Sequence, residues 1–292
     1  MKVLLTGANG QLGRCVQDVF ARTDYELVAL DRAALDISDA EAVSSAVAKH
    51  KPQAIINAAA YTAVDKAEAE PELAAQINTV GPSNLARAAD EIGAVLIHIS
   101  TDYVFDGSAN TPYTEEDETS PQGIYGRTKL EGEREVQRRC EKHIIIRTAW
   151  VFSEYGNNFV KTMLRLGKER KELNVVSDQV GCPTYAGDIA KLFLDICGLE
   201  KDGRATYGIY HYCGNEAVSW CDFASEIFRQ ATAEARYGGA PQVIDITTEH
   251  FPTPAKRPPY SIMSTAKLSR DYGLMPSLWK NALKEVFAKL DT

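Results

Sequence analysis

Tyr125 and Lys129 are the side chains in this sequence whose types and spacing could carry out acid–base chemistry. They lie in the stretch Tyr125-Gly-Arg-Thr-Lys129, where the sequence turns helical, and a spacing of four residues places both on one face of a helix. A phenol titrates near pH ~10, and a nearby cation that favours phenolate would let Tyr125 donate or accept a proton near neutrality. Reduction of a carbonyl group needs such a donor. The alternative is a surface pair on a solvated helix, and the elements upstream decide between the two.

The composition is that of an ordinary globular chain, long enough to bury a large core. Of 292 residues, 45% are hydrophobic and 25% are charged. The net charge of −8 and the pI near 5.3, without a long basic run, argue against a nucleic-acid partner. The first apolar run, residues 3–5, is too short for a signal peptide, and no stretch reaches the ~18 apolar residues of a membrane span.

The cysteines and histidines predict neither a disulfide framework nor a metal site. The six cysteines include no C-x-x-C pair, and the five histidines are scattered. We therefore expect reduced thiols in a cytoplasmic protein that holds no metal.

A glycine turn at the beginning of the chain could position a cofactor near Tyr125. A β-rich run, residues 2–6, leads into Gly7-Ala-Asn-Gly10-Gln-Leu-Gly13, and helical apolar spacing follows over residues 15–21. Glycines at this spacing let the backbone approach a pyrophosphate, with the helix N-terminus facing the phosphates. The alternative is a purely structural turn.

The second predicted strand, residues 26–30, ends in Asp31-Arg32, where a dinucleotide fold reads the adenosine ribose. Asp31 would accept a hydrogen bond from a 2′-hydroxyl, whereas Arg32 would meet a 2′-phosphate. The choice between NADH and NADPH therefore stays open. Residues 35–39 are expected to begin a helix, and Asp36 or Ser38 could simply cap it.

The third predicted strand, residues 54–57, runs into Ala58-Ala-Ala-Tyr-Thr62, where small side chains leave room for a ligand. Val64 follows early enough to reach the same pocket. The pattern then predicts one long helix over residues 71–92. Because Asn is disfavoured inside helices, Asn78 suggests local hydrogen bonds.

The fourth predicted strand, residues 94–100, is a near-continuous apolar run that delivers Thr101 to its carboxyl end. Ligands of doubly wound sheets bind at these carboxyl ends. A polar loop then leads to Tyr125, and a further strand, residues 143–147, ends before Trp150. The motifs thus follow one another along the chain in the order that one nicotinamide site requires: the glycine turn, the acidic residue at the ribose, the small-residue stretch, the hydroxyl of Thr101 and the helix with Tyr125 and Lys129.

These motifs together resemble the extended short-chain dehydrogenases/reductases, through residues 6–13, 57–60, 100–105 and 125–129. More narrowly, the chain resembles the dTDP-4-dehydrorhamnose reductase family, through residues 57–66, 100–107, 156–159 and 178–184. The resemblance covers nearly the whole chain. It implies NADPH- or NADH-dependent reduction of the C4 keto group of dTDP-4-dehydro-6-deoxy-L-mannose, the last step in making dTDP-L-rhamnose.

The resemblance also implies a role for each motif residue. Tyr125 would donate the proton, Lys129 would lower the pKa of that phenol and hold the nicotinamide ribose, and Thr101 would hydrogen-bond the sugar oxygen. The expected cofactor contacts are Gly7, Gly10, Gln11, Leu12, Gly13, Asp31, Arg32, Asp36, Ile37, Ala58, Ala59, Ala60, Tyr61, Thr62, Tyr125 and Lys129. The expected substrate contacts are Val64, Thr101, Asp102, Tyr103, Phe105, Trp150, Asn158 and Arg257.

Several of the expected substrate contacts could equally well serve the structure alone. Tyr103 and Phe105 could be core aromatics, and Asp102 a turn residue. Asn158 precedes an apolar helix and could cap it. Arg257, in a rigid proline-rich run, could meet a diphosphate or only solvent.

The predicted fold is a doubly wound parallel α/β domain over residues 1–150, to which some later segments return, with a mainly substrate-binding lobe over residues 151–292. The expected partner is a dTDP-linked keto sugar, with no nucleic acid or membrane, and a homodimer stays open. Alternatives are a sugar-nucleotide epimerase or dehydratase and a non-catalytic regulatory subunit. Related dehydratases resemble Thr-Asp-Glu after the fourth strand, whereas this chain has a phenol at the third position, a poor base for a carbon-bound proton.

Overall fold

A computed structural model describes residues 1–234 and 239–290. At its centre lies a parallel sheet of six strands, in the spatial order β10-β5-β4-β3-β1-β2. The strands are β1 (Lys2–Thr6), β2 (Glu26–Leu30), β3 (Ala54–Asn57), β4 (Val95–Thr101), β5 (His143–Thr148) and β10 (Gly208–His211). Helices cover the sheet, so the predicted doubly wound α/β class is confirmed.

Both faces of this sheet are buried because successive side chains of each strand point to opposite sides. Val3 and Leu5 of β1 join one core with helices α1 (Gln11–Phe20) and α8 (Ala186–Lys201). Leu4, between them, joins the opposite core, which is closed by the helices α2 (Ala40–His50), α5 (Gly81–Glu91) and α6 (Ile124–Arg139). The near-continuous apolar strands of the sequence follow from this two-sided burial.

The strand order reverses at β1, which pairs with β2 on one side and β3 on the other. In open parallel sheets a crevice forms outside the carboxyl ends of the strands at such a point, and ligands bind there. The glycine turn after β1 and the alanine stretch after β3 both open onto it.

The rest of the chain builds a second core beside the sheet, centred on Phe152, Phe223 and Trp279. Its elements are β6 (Val151–Phe152), β7 (Glu172–Val176), β8 (Val180–Gly181), β9 (Thr184–Tyr185), β11 (Val218–Ser219), β12 (Gln242–Ile246), α7 (Phe159–Glu169), α9 (Trp220–Ala233) and α11 (Trp279–Leu290). Strand β10 and helices α8 and α10 (Ala266–Tyr272) belong instead to the central sheet and its core. The division at residue 150 stays a prediction.

Two local predictions differ from the structure. The helix predicted over residues 71–92 is three consecutive segments, α4 (Pro71–Ala75), a π-helical turn (Gln76–Val80) and α5. Neither Asp36 nor Ser38 caps α2; Asp39 does, accepting from the backbone N–H groups of residues 41 and 42. The Asp36 carboxylate instead accepts from the N–H and hydroxyl of Ser38, a local turn that competes with helix.

Within the described ranges, no helix is long and apolar enough to cross a membrane.

Candidate active site

The glycine turn brings the first strand, the first helix and the alanine stretch into close contact. Gly7 has φ +72°, and a Cβ atom there would lie 2.6 Å from the backbone nitrogen of Ala59. A Cβ at Gly13 would lie 2.2 Å from the carbonyl oxygen of Gly7. No described side chain caps the N-terminus of α1, which begins after Gly10. Its N–H groups are therefore available to a diphosphate, so the residues present fit a dinucleotide.

A cleft of about 590 Å³ lies at the crevice predicted by the strand order. It brings together eleven of the predicted cofactor residues: Gly7, Gly10, Asp31, Arg32, Asp36, Ile37, Ala58, Ala59, Ala60, Tyr61 and Thr62. Gln11, Leu12 and Gly13 lie instead in the first turn of α1, where the Leu12 side chain is buried in the core. A cleft of similar size at the opposite end of the sheet, around Met1 and Gln53, contains none of the predicted site residues.

The lining of this cleft also includes residues that sequence reasoning missed: Asn9, Ala33, Leu35, Ala63 and Ile77. The signal for Leu35 was present, because Leu35 and Ile37 alternate with polar residues and bury their side chains. Asn9 had no such signal. Its amide donates a 2.7 Å hydrogen bond to the Asp31 carboxylate, which also accepts from the Ala34 N–H at 2.9 Å. Asn9 therefore holds Asp31, the residue expected to bind the adenosine ribose, at the cleft. The Arg32 side chain is exposed at the rim of the cleft.

Thr101, Tyr125 and Lys129 come from adjoining elements. Thr101 ends β4, and Tyr125 and Lys129 lie on successive turns of α6, which packs on β4. The Lys129 side chain is buried, and its Nζ donates to the carbonyl oxygen of Ile99 at 2.7 Å. The Thr101 hydroxyl donates to Asp102 Oδ1 at 3.0 Å and accepts from the backbone N–H of Tyr103 at 3.2 Å. The predicted hydroxyl, phenol and ammonium are thus at one edge of the sheet.

The electrostatics of Tyr125 differ from the sequence prediction. Burial raises the pKa of Tyr125 above its ordinary value of 10; a hydrogen bond with Thr101 opposes this, and the charge of Asp102 adds to it. Burial lowers the pKa of Lys129 to about 8, against an opposing effect of Glu133. Burial therefore dominates the pKa of the phenol in this structure, and the expectation that Lys129 lowers that pKa stays a prediction. Tyr125 is consequently protonated at neutral pH, the form that a proton donor requires.

Two of the predicted substrate contacts in the turn after β4, Phe105 and Asp102, are buried. Phe105 is a core aromatic: its ring is 1% exposed and stacks on Tyr113 at 4.1 Å. The prediction of a substrate contact at Phe105 is therefore not supported, because the ring is covered. Asp102 is also buried, and burial raises its pKa to about 6.

Tyr103 and Arg257 form a contact between the turn and the proline-rich run. The Tyr103 ring lies edge-on to Tyr125, with ring centroids 5.5 Å apart. Arg257 donates to the Tyr103 hydroxyl at 3.1 Å and to Asp65, beside Val64 at the start of α3 (Val64–Ala67), at 2.6 Å. Arg257 is therefore anchored to protein groups, and its contact with a diphosphate stays a prediction.

Trp150 and Asn158 lie where the sheet meets the second core. Trp150 has φ +47°, an uncommon conformation for a bulky residue, and its indole stacks on Trp220 with centroids 3.5 Å apart. Asn158 caps α7 by accepting from the Lys161 N–H, and its amide donates to the Gln11 side chain at 2.8 Å. The capping role considered for Asn158 is thus correct, and its contact with substrate stays a prediction.

Asn78 links the cofactor cleft to the helix of Tyr125. Its side chain accepts from the Tyr61 N–H at 2.8 Å and donates to the Tyr61 carbonyl oxygen and the Thr128 hydroxyl. These hydrogen bonds cross to two other segments, whereas the sequence suggested local ones. The π-helical turn that carries Asn78 is a form frequent at functional sites.

Comparison with known proteins agrees with the motifs. The family described as RmlD substrate binding domain matches residues 1–292. The dTDP-4-dehydrorhamnose reductase of Aggregatibacter actinomycetemcomitans is 47% identical over 289 residues, 98% of each chain. The chain belongs to the dTDP-4-dehydrorhamnose reductase family. The family resemblance inferred from the sequence is confirmed, and membership makes the chain an oxidoreductase.

Solved structures of dTDP-4-dehydrorhamnose reductases share the whole architecture. The crystal structure of the Clostridium acetobutylicum protein is 46% identical, with a TM-score of 0.93 and 100% of both chains covered. That of the Bacillus anthracis protein, in complex with NADP, is 40% identical, with a TM-score of 0.91 and 99% of both chains covered.

Proposed function

We propose that the chain reduces the C4 keto group of dTDP-4-dehydro-6-deoxy-L-mannose to give dTDP-L-rhamnose. The observation that carries the proposal is a half-buried, protonated phenol, Tyr125, beside the Thr101 hydroxyl at the carboxyl end of β4, in a chain matched by this family over its whole length. A ketone becomes an alcohol by gaining a hydride at carbon and a proton at oxygen. When bound, the reduced nicotinamide supplies the hydride.

The chain's own residues supply the proton and hold the reactants. Tyr125 donates its phenolic proton to the C4 oxygen as that oxygen gains negative charge. The Thr101 hydroxyl, which donates to Asp102 in the free protein, re-aims to the same oxygen and stabilises it. Lys129 uses one of its N–H groups on Ile99, which leaves two donors for the nicotinamide ribose and the phenolate that remains.

The cofactor is NADPH or NADH. The glycine turn and the uncapped N-terminus of α1 hold the diphosphate, and the cleft between Asp31 and the alanine stretch holds the adenosine. Asp31 and Arg32 both lie at this cleft, which supports acceptance of both cofactors. The complex of the Bacillus anthracis relative with NADP supports the phosphorylated form.

The turn after β4 favours a reductase over a dehydratase. Elimination of water needs a base for a carbon-bound proton. In the Thr-Asp-Glu sequence that related dehydratases resemble, the third residue is a carboxylate, and this chain has Tyr103 at that position. Burial raises the pKa of Tyr103 to about 12, and its hydroxyl accepts from Arg257. A phenol with this pKa is a poor base near neutrality.

We further propose that the chain forms a homodimer, that it has no nucleic-acid partner and that it is located in the cytoplasm. The net charge of −8 supports the second, and six cysteines without a disulfide support the third.

The decisive experiment measures cofactor stoichiometry. A reductase oxidises one reduced nicotinamide for each sugar converted, whereas an epimerase or dehydratase returns its nicotinamide to the starting state in every cycle. We expect loss of NADPH absorbance equal to the amount of dTDP-keto sugar reduced. Sugar conversion without net NADPH oxidation would point to an epimerase, and a folded, cofactor-bound protein without activity would point to a regulatory subunit.

A further inference from the structure

A buried ion pair, Glu133 and Arg147, lies between helix α6 and strands β4 and β5, next to the residues that the proposed reaction uses. Glu133 and Arg147 are 0% and 2% exposed. Arg147 donates to Glu133 from Nη2 at 2.7 Å and from Nε at 3.0 and 3.2 Å. The Ser100 hydroxyl donates to the same carboxylate at 2.5 Å. Burying two charges costs desolvation energy, and apolar residues of the same volume often stabilise a core at least as much as a buried ion pair does. Stability alone therefore does not account for this pair.

The three partners lie on the elements that deliver the reacting groups. Ser100 immediately precedes Thr101 on β4. Glu133 is one helical turn beyond Lys129 on α6, a spacing at which side chains are neighbours. Arg147 lies on β5 and pairs in register with Ser100. The network therefore joins the strand of Thr101 to the helix of Tyr125 and Lys129.

We propose that Glu133, held by Arg147 and Ser100, is a positioning residue for the reduction. It fixes α6 against β4 so that the three reacting side chains keep their relative geometry, and its negative charge stabilises the ammonium form of Lys129. The inference rests on the proposed reductase function for its catalytic consequence. Its electrostatic consequence concerns the protein alone.

The charges around Lys129 support this assignment. Glu133 is the charged group that raises the pKa of Lys129, against the larger lowering by burial to about 8. His98, on β4, is fully buried, and its pKa is held well below 6.5, so it is neutral. Tyr125, on the same helix, has a raised pKa and is also neutral. Two further charged groups lie nearby and have other partners: Asp102 faces Thr101 and Tyr125, and Arg147 lies against Glu133.

The test compares Glu133→Gln with Glu131→Gln. The first removes the buried charge at constant volume, and the second removes an exposed charge on the same helix that pairs with Arg134 at the surface. Lys129 is titrated by NMR in lysine-labelled protein, its signal assigned through Lys129→Arg. We expect Glu133→Gln to lower the midpoint by about one pH unit and Glu131→Gln to leave it unchanged.

In the reductase assay, Glu133→Gln should lower kcat about tenfold, keep both KM values within about threefold, and move the alkaline limb of kcat/KM to lower pH by the same unit. The unpaired Arg147 could unfold this variant, so the double variant Glu133→Gln/Arg147→Met serves as a charge-free core. A folded single or double variant with the wild-type Lys129 midpoint and wild-type kcat overturns the proposal. Because the titration uses neither sugar nor cofactor, a wild-type protein without reductase activity would refute the proposed function and leave the electrostatic assignment standing.

Discussion

Replacing Tyr125 by Phe removes one oxygen atom from the proposed proton donor. The ring keeps its volume and its edge-on contact with Tyr103, so no cavity forms. The lost interaction is the hydrogen bond with Thr101, worth about 1 kcal/mol in a folded protein. Because the raised pKa keeps the phenol neutral at pH 7, the variant loses no charge interaction in addition to that hydrogen bond. We therefore expect the melting temperature to change by only a few degrees.

The effect on catalysis should be much larger than the effect on stability. A lost general acid typically costs ~10²–10⁴-fold in rate, or about 3–5 kcal/mol of transition-state stabilisation. We expect kcat of Tyr125→Phe to fall by at least ~10²-fold, with the dissociation constant of NADPH within a few-fold of the wild type. The assay is NADPH absorbance with the dTDP-keto sugar, beside cofactor titration by fluorescence.

Tyr103→Phe is the matched control, because it removes a second half-buried phenol in contact with the first. Its hydroxyl accepts a hydrogen bond from Arg257, on the side of the proline-rich run, so we expect kcat within about tenfold of the wild type. Near-normal kcat in Tyr125→Phe would refute the assignment. Equal losses in both variants would show that the whole aromatic pair, rather than one proton donor, determines the rate.

Three further outcomes are expected. Arg32→Ala should raise the Michaelis constant for NADPH more than that for NADH, because Arg32 is exposed at the cleft beside Asp31; equal changes would show that it does not read the 2′-phosphate. The ammonium form of Lys129 is lost as pH rises through about 8, so kcat/KM of the wild type should fall above that pH, and a flat profile to pH 10 would contradict the lowered pKa. Phe105→Ala should destabilise the fold by about 3–5 kcal/mol in denaturant unfolding, and it should leave the KM for sugar unchanged if the ring only fills the core.

The sequence was most informative where one residue type has one physical use. Gly7 and Gly13 have contacts that leave no room for a Cβ atom, so their spacing predicted both the turn and the cleft. The strands β1 to β5 were predicted within a residue or two at each end, because a strand buried on both faces must be apolar along nearly its whole length.

The sequence was least informative where the answer depends on distant partners. Whether Phe105 faces a sugar or the core is decided by Tyr113, which returns to it from a loop. The pKa of Tyr125 depends on how deeply the helix packs, which spacing to Lys129 does not specify. Sequence reasoning missed three site residues because their partners are distant in the chain. The partner of Asn9 is 22 residues away, those of Asn78 are 17 and 50 residues away, and those of Glu133 are 14 and 33 residues away.

Gln11 is the first residue of α1, directly after the glycine turn, and its side-chain oxygen accepts hydrogen bonds from Ser153 and Asn158, at the edge of the second core. The loop expected to receive the diphosphate and the region expected to receive the sugar are therefore in direct contact. A displacement of this loop on cofactor binding must alter those two hydrogen bonds, and their free energy then enters the affinity for the second ligand. Thermodynamic linkage makes this exchange reciprocal: the factor by which bound cofactor changes sugar affinity equals the factor by which bound sugar changes cofactor affinity.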